Sequence, residues 1–461
     1  MSARVVVIGG GIAGLAAAYD LTAVDGVEVV VLDAADRVGG KLRLETVAGM
    51  LVDVGAESVL AVRPEFPELV RDAGLSELLT TPATTSAGVW SRGALHPLPS
   101  GTLMGIPGDL DGALGILTAG EVARARAEVA GSPTDTDVSV GDVVAERLGA
   151  AVVDRLVEPL LGGVYAGDAR LLSVRAATPQ LWPAVSSGGS LVAAAAAAGA
   201  RGPTRAGGAF AGVVGGVGSI PSLLAERVAL RGRHIRTGVI VRALRRNGSG
   251  WVVLAGPTTD VEEIAADAVV VAVPPAPASR LLADHAPGAA ALLADIRTAS
   301  MAIITLAFVR ASLGALPGSG FLVPPVEGWT IKASTFSSAK WGWLDAAGGD
   351  TAYVRASVGR AGETAALQRP DTELARVAHA EIGRALGRTL PPPTDVHVQR
   401  WGGGLPQYAV GHLDRVAAIR AAVGAVPGLE LAGAAYDGVG IPATVGTGRR
   451  AATALIHDLS R

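Results

Sequence analysis

The apolar positions of the first forty residues predict a strand, a helix and a second strand in succession. Residues 4–8 form an almost wholly apolar run, which is typical of a strand buried on both faces. An alanine- and leucine-rich stretch then continues to Leu21 and predicts a helix. A second apolar run, residues 27–32, ends at Asp33. We therefore predict a βαβ unit at the start of the chain.

The rest of the pattern predicts a helical middle section followed by a strand-rich one. Helices are predicted at 119–130, 140–149 and 152–161, within a helical region that extends from 109 to 199. Extended segments are predicted at 42–54, 86–98, 235–244, 251–255, 268–273, 303–308, 320–323, 329–335, 352–358, 396–401 and 429–433, with further helices at 64–73, 221–230, 372–386 and 444–459. This mixture of elements favours the α/β class.

The glycines between the first strand and its helix are placed to accept a phosphate. Gly9 permits a tight turn, Gly11 lets the backbone approach a pyrophosphate, and Gly14 lets the helix pack closely on the strand. The helix N-terminus adds unpaired N–H groups. Asp33, at the tip of the second strand, can accept hydrogen bonds from a ribose, and its charge disfavours NADP. The pattern predicts a dinucleotide site.

The loop that follows Asp33 separates FAD from NAD. It carries an Arg-x-Gly-Gly-Lys sequence at residues 37–41, and a second flexible, cationic loop suits an FAD that stretches across the domain. Lys41 could reach the diphosphate or the ribityl chain. A Gly-Ala-Glu-Ser turn at 55–58 could press its backbone against a flat ring, although an ordinary turn is the simpler interpretation of that stretch. We predict FAD.

These segments predict a domain that is interrupted twice along the chain. Strands of the first domain return after the helical region, and a strand and a helix of the same domain close the chain. We predict an α/β fold with a discontinuous Rossmann-like FAD-binding domain of residues 1–85, 205–275 and 425–461. An inserted helical lobe would occupy residues 86–204, and a mixed-sheet substrate-binding domain residues 276–424.

The composition excludes several other kinds of protein. A net charge of −3 argues against nucleic acid as a partner. The absence of cysteine excludes disulfides, iron–sulfur clusters and flavin attachment through cysteine, and the seven scattered histidines predict no metal site. No apolar run is long enough to span a bilayer, so we expect a cytoplasmic protein without a transmembrane segment. Peripheral contact with a membrane stays open.

Three further motifs resemble those of one enzyme family. Residues 162–168 resemble the GGVYAGD loop of the porphyrinogen oxidases, and Trp401 with residues 405–412 resembles their W…PQY…GH segment. Residues 433–442 resemble their C-terminal flavin loop. With the N-terminal motifs, the likeness to the FAD-dependent protoporphyrinogen and coproporphyrinogen oxidases, within the flavin amine oxidase superfamily, extends over essentially the whole chain.

The resemblance implies a non-covalent FAD and a set of residues that contact it. By position these are Gly9, Gly10, Gly11, Ile12, Ala13, Gly14, Asp33, Ala34, Lys41, Gly55, Ala56, Glu57, Ser58, residues 239–241 including Val241, Trp401, Val439, Gly440 and Ile441. Val241 would bond the adenine through its backbone. The family more often has glutamate in the place of Asp33, and the shorter side chain is compatible with the ribose contact.

The resemblance also implies a reaction. It is the oxygen-dependent, six-electron oxidation of coproporphyrinogen III to coproporphyrin III in haem biosynthesis, in three FAD turnovers that release hydrogen peroxide. Residues 99–107 resemble the version found in soluble bacterial enzymes, for which coproporphyrinogen III is the preferred substrate, and protoporphyrinogen IX is the alternative. Porphyrinogen and oxygen would be the partners, with handover of product to a downstream haem-pathway enzyme.

The carboxylates of such a substrate call for cations around the pocket. The candidates are Arg92, Lys332, Lys340 and Arg400, although an ordinary solvated charge is the simpler interpretation of each one. Lys332 is the most distinctive, because it interrupts an apolar strand. Tyr165 and Gly167 could border the substrate cavity, or belong to a helix C-terminus and the core. We interpret Tyr408 and His412 as structural, and we expect no acid–base pair because the flavin carries the chemistry.

Two other functions remain as alternatives. A flavin amine oxidase usually has a lysine on the substrate-domain strand that faces the flavin, whereas residues 301–304 are apolar in this chain. A non-catalytic relative could keep the fold as a binding or escort protein, but the complete set of flavin motifs argues against it.

Overall fold

The computed structural model describes residues 3–200, 208–232 and 234–460, so the predicted boundary at 204–205 lies outside the described residues. Its strands are β1 (Ala3–Ile8), β2 (Val27–Leu32), β3 (Leu44–Val47), β4 (Met50–Asp53), β5 (Val59–Leu60), β6 (Leu79–Thr80), β7 (Ala87–Ser91), β8 (Ala94–Pro97), β9 (Phe210–Val213), β10 (His234–Arg236), β11 (Val241–Asn247), β12 (Gly250–Ala255), β13 (Glu262–Ala266), β14 (Ala268–Val271), β15 (Thr298–Val309), β16 (Gly320–Leu322), β17 (Ile331–Thr335), β18 (Thr351–Val358), β19 (Asp395–Pro406) and β20 (Leu429–Leu431).

The helices cluster in the middle of the chain and at its end. They are α1 (Ile12–Leu21), α2 (Glu65–Asp72), α3 (Ala119–Arg126), α4 (Val140–Leu148), α5 (Ala150–Val152), α6 (Glu158–Tyr165), α7 (Val174–Ala177), α8 (Trp182–Ser187), α9 (Leu191–Ala200), α10 (Ile220–Leu230), α11 (Pro275–Leu282), α12 (Pro287–Ala294), α13 (Arg310–Leu313), α14 (Ser337–Lys340), α15 (Gly342–Gly348), α16 (Asp371–Ala385), α17 (His412–Gly424) and α18 (Ile441–Leu459). One stretch of π-helix, Val153–Val157, joins α5 to α6.

A parallel sheet gathers strands from the beginning, the middle and the end of the chain. Within the described residues its order is β10-β2-β1-β14-β20, and each neighbouring pair is parallel. β1, β2 and β14 are apolar along most of their length, as strands buried on both faces must be. The predicted βαβ unit and the α/β class are confirmed.

Helices α1 and α18 pack side by side on this sheet. Each follows a strand of the same parallel set, so both begin at the carboxyl edge of the sheet and run in one direction. Their contact is close, because a side-chain carbon on Gly448 of α18 would collide with the carbonyl oxygen of Ala13 in α1. The sheet edge therefore carries two helix N-termini.

The extended segment predicted at 235–244 is two strands in different sheets. β10 belongs to the parallel sheet, whereas β11 pairs with β12 in the antiparallel order β11-β12-β13. The chain turns away between them because the amides of Gly238 and Val239 donate to the carbonyls of Ala35 and Asp33. Those bonds hold residues 238–241 beside the tip of β2.

The second large sheet has the order β19-β15-β18-β17-β16-β7-β8 in the described chain. It is mixed, as predicted, because β16 and β7 are parallel while their neighbours are antiparallel. Helix α16 covers one face, where its Leu374 and Ile382 share a buried cluster with Ile304 and Leu306 of β15. The alternate residues of β15 therefore point to the opposite face.

The hairpin β7–β8 belongs to this sheet, although the predicted boundary at residue 86 assigned it to the helical lobe. Its first strand pairs with β16, more than two hundred residues later in the chain, through the register Phe321 with Gly88. Pairing between strands so far apart in the chain is decided by tertiary packing. The local sequence pattern could therefore predict the hairpin but not the sheet to which it belongs.

Helices α3 to α9 pack around a core of their own. The predicted start of α4 is confirmed, since the Ser139 hydroxyl accepts a hydrogen bond of 3.0 Å from the Asp142 amide. Tyr408, which follows β19, is buried in this same core. The helical lobe is therefore joined to the end of the second sheet.

Candidate active site

The carboxyl edge of the parallel sheet collects the loops that carry the sequence motifs. The turn after β1, the loop after β2, residues 237–241 after β10 and the loop after β20 all leave the sheet at this edge. In open parallel sheets the ligand binds in the crevice outside this edge. The predicted contact residues from the two ends of the chain therefore lie on one side of the sheet.

The first turn has the geometry that a phosphate-binding turn requires. Gly9 has a φ of +111°, which favours glycine, and a side chain on Gly14 would collide with the Gly9 carbonyl. A side-chain carbon on Gly11 would meet no atom within 4 Å. Gly11 also precedes the first residue of α1 and has no side chain to cap it. The space in front of the helix N-terminus is open to an anion.

Asp33 fixes this turn from the neighbouring strand. Its carboxylate accepts hydrogen bonds from the amides of Gly10, at 2.6 Å, and Ala35, at 2.8 Å. Its own carbonyl accepts from the Val239 amide. Asp33 and Ala34 are thereby held between the glycine turn and residues 239–241, and contact of Asp33 with a ribose stays a prediction.

The Arg-Val-Gly-Gly-Lys loop is tied to the first turn and leaves one cation free. The Arg37 guanidinium donates to carbonyls of its own loop, and the Gly39 amide donates to the Gly10 carbonyl at 2.8 Å. The ammonium of Lys41 has no hydrogen-bond or ion-pair partner among the described residues, and burial lowers its pKa to about 8. An anion bound here would stabilise the charged ammonium and so oppose the effect of burial on the pKa of Lys41.

The turn at residues 55–58 lies against this loop and against Trp401. A side chain on Gly55 would collide with the Lys41 carbonyl and come within 3.3 Å of the Trp401 ring. The Trp401 indole donates to the Val54 carbonyl at 3.0 Å. Ala56 is exposed beside them. Glycine is required at residue 55 because loop, turn and indole meet there.

Glu57 ties the same turn to the second sheet. Its carboxylate accepts from the Lys340 ammonium at 2.8 Å, the Arg355 guanidinium at 2.6 Å and the Ser337 hydroxyl at 3.0 Å. Arg355 also donates to the Gly55 carbonyl at 2.5 Å. Burial alone would raise the pKa of Glu57, but the charges of Lys340 and Arg355 outweigh it and lower the pKa to about 2.

Lys340 also reaches the hydroxyl of Ser58, at 3.4 Å. This lysine therefore holds the turn at residues 55–58, and the ion pair with Glu57 occupies its charge.

The C-terminal loop closes the site from the other end of the chain. Val439 packs at the edge of the lobe core, Gly440 caps the first turn of α18 and Ile441 is buried. Gly438 has a φ of +139°, and its amide donates to the Tyr408 hydroxyl at 2.7 Å. That hydroxyl in turn donates to the Ala434 carbonyl at 2.7 Å. Tyr408 therefore clamps the loop at two points.

Tyr165 and Gly167 belong to the loop that ends α6. The Tyr165 ring packs on Tyr408 with centroids 5.7 Å apart, and burial raises its pKa to about 12. A side chain on Gly167 would come within about 2.5 Å of the Gln407 amide oxygen, while Gln407 donates to the Tyr165 carbonyl. The structure thus brings the GGVYAGD loop to the PQY segment, beside the C-terminal loop. The His412 ring also stacks on Tyr408, with centroids 3.8 Å apart.

The predicted substrate cations lie in different surroundings. Arg92 pairs with Glu121, and Arg400 pairs with Asp371 and donates to backbone carbonyls. Arg92 also lies in the β7–β8 turn, at the edge of the sheet opposite β19. Lys332, in contrast, is buried on β17 without an acidic partner.

Sequence reasoning missed two residues of this site. Arg63 lies 3.9 Å from the position of a side-chain carbon on Gly438, and it pairs with the nearby Glu65. No motif marks it. Arg355 interrupts the apolar strand β18 just as Lys332 interrupts β17, so the same signal could have found it.

A cavity of about 160 Å³ borders Trp401 and Met301. It is smaller than the about 300–1,000 Å³ typical of pockets for organic ligands, so by itself it is too small for a macrocycle.

Residues 3–200, 208–232 and 234–460 contain neither a metal-binding cluster nor a membrane-spanning helix. No acidic or histidine cluster there could hold a metal ion, and none of the helices is long and apolar enough to cross a bilayer.

A flavin fits the residues that meet at this edge. The open space at Gly11, the unpartnered ammonium of Lys41 and the N-termini of α1 and α18 offer donors and positive charge to a diphosphate. The Trp401 ring lies against the turn at residue 55, next to the loop that carries Lys41.

Comparison with known proteins identifies the family of this chain. The model of the flavin containing amine oxidoreductases matches residues 12–456. Coproporphyrinogen III oxidase of Mycobacterium leprae is 37% identical over 99% of this chain and 98% of its own length, and that of Bacillus subtilis is 30% identical over 97% of both.

Solved structures agree with these sequence relatives. A protein from Exiguobacterium sp. 255-15, assigned provisionally as a protoporphyrinogen oxidase, matches with a TM-score of 0.85, 32% identity and full coverage of both chains. Cyclohexylamine oxidase of Brevibacterium oxydans shares the fold, with a TM-score of 0.70 and 18% identity over both whole chains. The predicted family is thus confirmed, and this chain belongs to the flavin-containing amine oxidoreductases, on the branch of the porphyrinogen oxidases.

Proposed function

We propose that this chain oxidises coproporphyrinogen III to coproporphyrin III in haem biosynthesis, with oxygen as the electron acceptor. The observation that carries the proposal is the 37% identity, over nearly the full length of both chains, to a coproporphyrinogen III oxidase. The reaction removes six hydrogen atoms from the macrocycle in three two-electron rounds, and each round converts one oxygen molecule to hydrogen peroxide. The product would pass to a later enzyme of the haem pathway.

The cofactor of this proposal is a non-covalent FAD. Residues 9–14, Asp33 and Lys41 would hold its diphosphate and ribose, and Gly55, Trp401 and residues 439–441 its ring system. When bound, FAD supplies the two-electron acceptor for each round. The chain carries no cysteine to which a flavin could be linked.

The face of the second sheet that looks toward this site is apolar at its centre. Ala302 and Ile304 pack under α16, so Met301 and Ile303 project from the opposite face. Thr305 and Arg355 are paired on that same face, and Arg355 bonds the Gly55 carbonyl. An apolar surface next to the turn at residue 55 suits a flat macrocycle, because it excludes water while presenting no base of its own.

This face also weakens the amine oxidase alternative. The position at which those enzymes usually place a lysine is occupied by apolar residues of β15, among them Met301 and Ile303. Cyclohexylamine oxidase and putrescine oxidase, two solved amine oxidases, are 18% identical to this chain and show the fold alone. Protoporphyrinogen IX differs from coproporphyrinogen III only in two side chains, and it is the closer rival.

An anaerobic mixing experiment tests the proposal. The purified protein with its flavin oxidised is mixed with coproporphyrinogen III in the absence of oxygen, and the flavin absorbance is followed. We expect the absorbance to bleach, and admission of air to restore it with release of peroxide and a fluorescent porphyrin.

Parallel reactions identify the substrate. Protoporphyrinogen IX should bleach the flavin more slowly than coproporphyrinogen III, and a primary amine should not bleach it. Bleaching by the amine and by neither porphyrinogen would refute the proposal. A protein purified without any flavin, and unable to take it up, would favour the non-catalytic relative.

A further inference from the structure

The loop 162–167 covers a buried lysine that no acidic side chain neutralises. Lys332 of β17 is 4% exposed, and its ammonium has one hydrogen-bond partner among the described residues, the Gly162 carbonyl at 3.2 Å. An ammonium has three donors, and a buried charge is normally paired. Two donors of Lys332 are therefore without partners under this loop.

The hydrogen bond to the Gly162 carbonyl does not explain why a lysine is buried at residue 332. That carbonyl already accepts the Ala166 amide at 3.0 Å, as the helical pattern of α6 requires. The end of α6 would thus be satisfied without Lys332. Burial and the nearby Arg360 lower the pKa of Lys332 to about 7. The charged form of the lysine is therefore destabilised at this position.

A second cation borders the same loop. Arg360 is buried, donates to the Val323 carbonyl at 3.2 Å, and lies 3.5 Å from Glu363, whose side chain is 59% exposed. The next residue, Ala361, donates its amide to the Ala166 carbonyl at 2.6 Å. Two cations and one solvated anion leave a surplus positive charge beneath the loop.

The lysine lies on the side of the second sheet that faces the proposed macrocycle. Gly163 of α6 lies over Leu322, which is paired with Ala333, and Ala333 is paired in turn with Ser357. Ser357 is paired with Ile303, so all of these residues share the face opposite α16. Helix α6, to which the Lys332 ammonium reaches, therefore covers this face.

The spacing across the sheet suits the substrate. β17 is separated from β15 by β18 alone, which places Lys332 about 10 Å from Met301 at the usual strand spacing. This distance is comparable to the distance between the ring of a tetrapyrrole and the end of one of its carboxylate side chains. Gly163 and Val164, which follow the Gly162 carbonyl that Lys332 contacts, are exposed.

We propose that Lys332, supported by Arg360, is the subsite that receives one carboxylate side chain of the porphyrinogen. The inference rests on the proposed function. A carboxylate between the two cations would accept charge-assisted hydrogen bonds from the unpaired donors of Lys332. It would also neutralise the surplus positive charge.

A binding titration tests this subsite. Coproporphyrin III, the reaction product, and its tetramethyl ester are each titrated into the flavin-loaded protein, with Lys332→Met and Lys332→Arg as variants. We expect Lys332→Met to bind the acid about 10- to 100-fold more weakly than the wild type, because a hydrogen-bonded charge pair is lost. Its affinity for the ester should be unchanged, and Lys332→Arg should keep most of the affinity for the acid.

Arg376→Met is the matched control. Arg376 is exposed on α16, which covers the other face of the sheet, so this variant removes one cation without touching the subsite. Unchanged binding of the acid by Lys332→Met would overturn the proposal, as would an equal loss for acid and ester or an equal loss in Arg376→Met. A wild type that binds and oxidises neither porphyrinogen would instead refute the proposed function.

The small number of lysines provides a second measurement that needs no Lys332→Met protein. The chain has lysine only at residues 41, 332 and 340, so carbon-13 labelling of the lysine ε-carbon gives three assignable signals. Coproporphyrin III should shift the Lys332 signal in a way that the tetramethyl ester does not reproduce. An identical response to acid and ester would show that no carboxylate reaches this lysine.

Discussion

At the scale of single residues, the glycines of the first turn have different physical roles. Gly14 is needed by the fold itself, since any side chain there would meet the Gly9 carbonyl. Gly11 faces open space, has a φ of −70° and tolerates a side chain in the protein alone. The spacing of the motif predicted the close packing at Gly14 correctly, because it depends on a local turn between consecutive elements, and the phosphate contact at Gly11 stays a prediction.

We predict that Gly11→Val folds but loses its flavin. The valine would occupy the open space through which a pyrophosphate would approach the N-terminus of α1, and its β-carbon would meet no protein atom within 4 Å. The ratio of flavin to protein after purification and the thermal unfolding temperature measure the two effects. Gly14→Val is the contrasting variant and should fail to fold. A flavin-replete Gly11→Val protein would show that the phosphate binds elsewhere.

The cations show where residue-level prediction from sequence stops. Arg92, Lys340 and Arg400 had no visible partner in the sequence, yet each has an acidic one in the fold. The partner of Lys340 is Glu57, which lies 283 residues away. Only the tertiary fold can pair charges at that separation. Lys332 differs because its apolar neighbours already marked it as buried.

At the scale of elements, the segment between β19 and α17 organises the C-terminal loop. Tyr408 lies in the lobe core, in contact with the Tyr165 ring and the His412 ring, and its hydroxyl bonds the loop at Ala434 and Gly438. Its sequence motif indicated only a structural residue. The geometry gives that residue a definite task, which is to fix the loop that begins α18.

We predict that Tyr408→Phe weakens flavin binding about 10-fold while the fold persists. The change removes two hydrogen bonds to the loop, and a neutral hydrogen bond is worth about 1 kcal/mol. Flavin fluorescence during dilution measures the dissociation constant. Tyr353→Phe is the matched control, because it removes a buried hydroxyl that bonds the Val47 carbonyl, away from the loop. Equal flavin loss in both variants would contradict a specific role for Tyr408.

The elements themselves were largely predictable, but their assignment to sheets was not. Apolar runs such as β1, β2 and β14 identify buried strands without further information. The segment after residue 234, in contrast, divides between two sheets, because backbone bonds at Gly238 and Val239 compete with continued pairing. Such competition has no signature in hydrophobic periodicity.

At the scale of the whole molecule, a buried charge network joins the turn at residues 55–58 to the second sheet. Glu57 meets Lys340 and Arg355 in a buried cluster, so removal of the anion would leave two cations without their acidic partner. The loss of one member of such a cluster is strongly destabilising. The same network also orients the Gly55 carbonyl.

We predict that Glu57→Gln lowers the free energy of unfolding by about 3 kcal/mol at pH 7 and by less at pH 3. The pKa of Glu57 is lowered to about 2 in the folded protein, so its stabilising contribution is complete above the ordinary glutamate pKa and is lost as the pH falls toward 2. Urea unfolding of wild type and variant at several pH values measures the difference.

Glu263→Gln provides the comparison for this charge network. Glu263 pairs with Arg245 at 3.3 Å on the surface, where both side chains are more than half exposed. Its removal should change stability little at any pH, because solvent screens such a pair. A Glu57→Gln penalty that is constant from pH 7 to pH 3 would show that the carboxylate charge does not hold the two parts together.

The strand order of the parallel sheet also bears on how the protein is made. Its outer strand β20 and the helix α18 are synthesised long after β1 and the glycine turn. A ribosome exposes the N-terminal segments early, and folding of a domain usually starts as soon as its parts emerge. In this chain the glycine turn after β1 is made well before the loop between β20 and α18, which would complete the proposed nucleotide site. We therefore expect the proposed flavin to bind only after β20 and α18 have been synthesised, so that chains truncated before β20 would lack it.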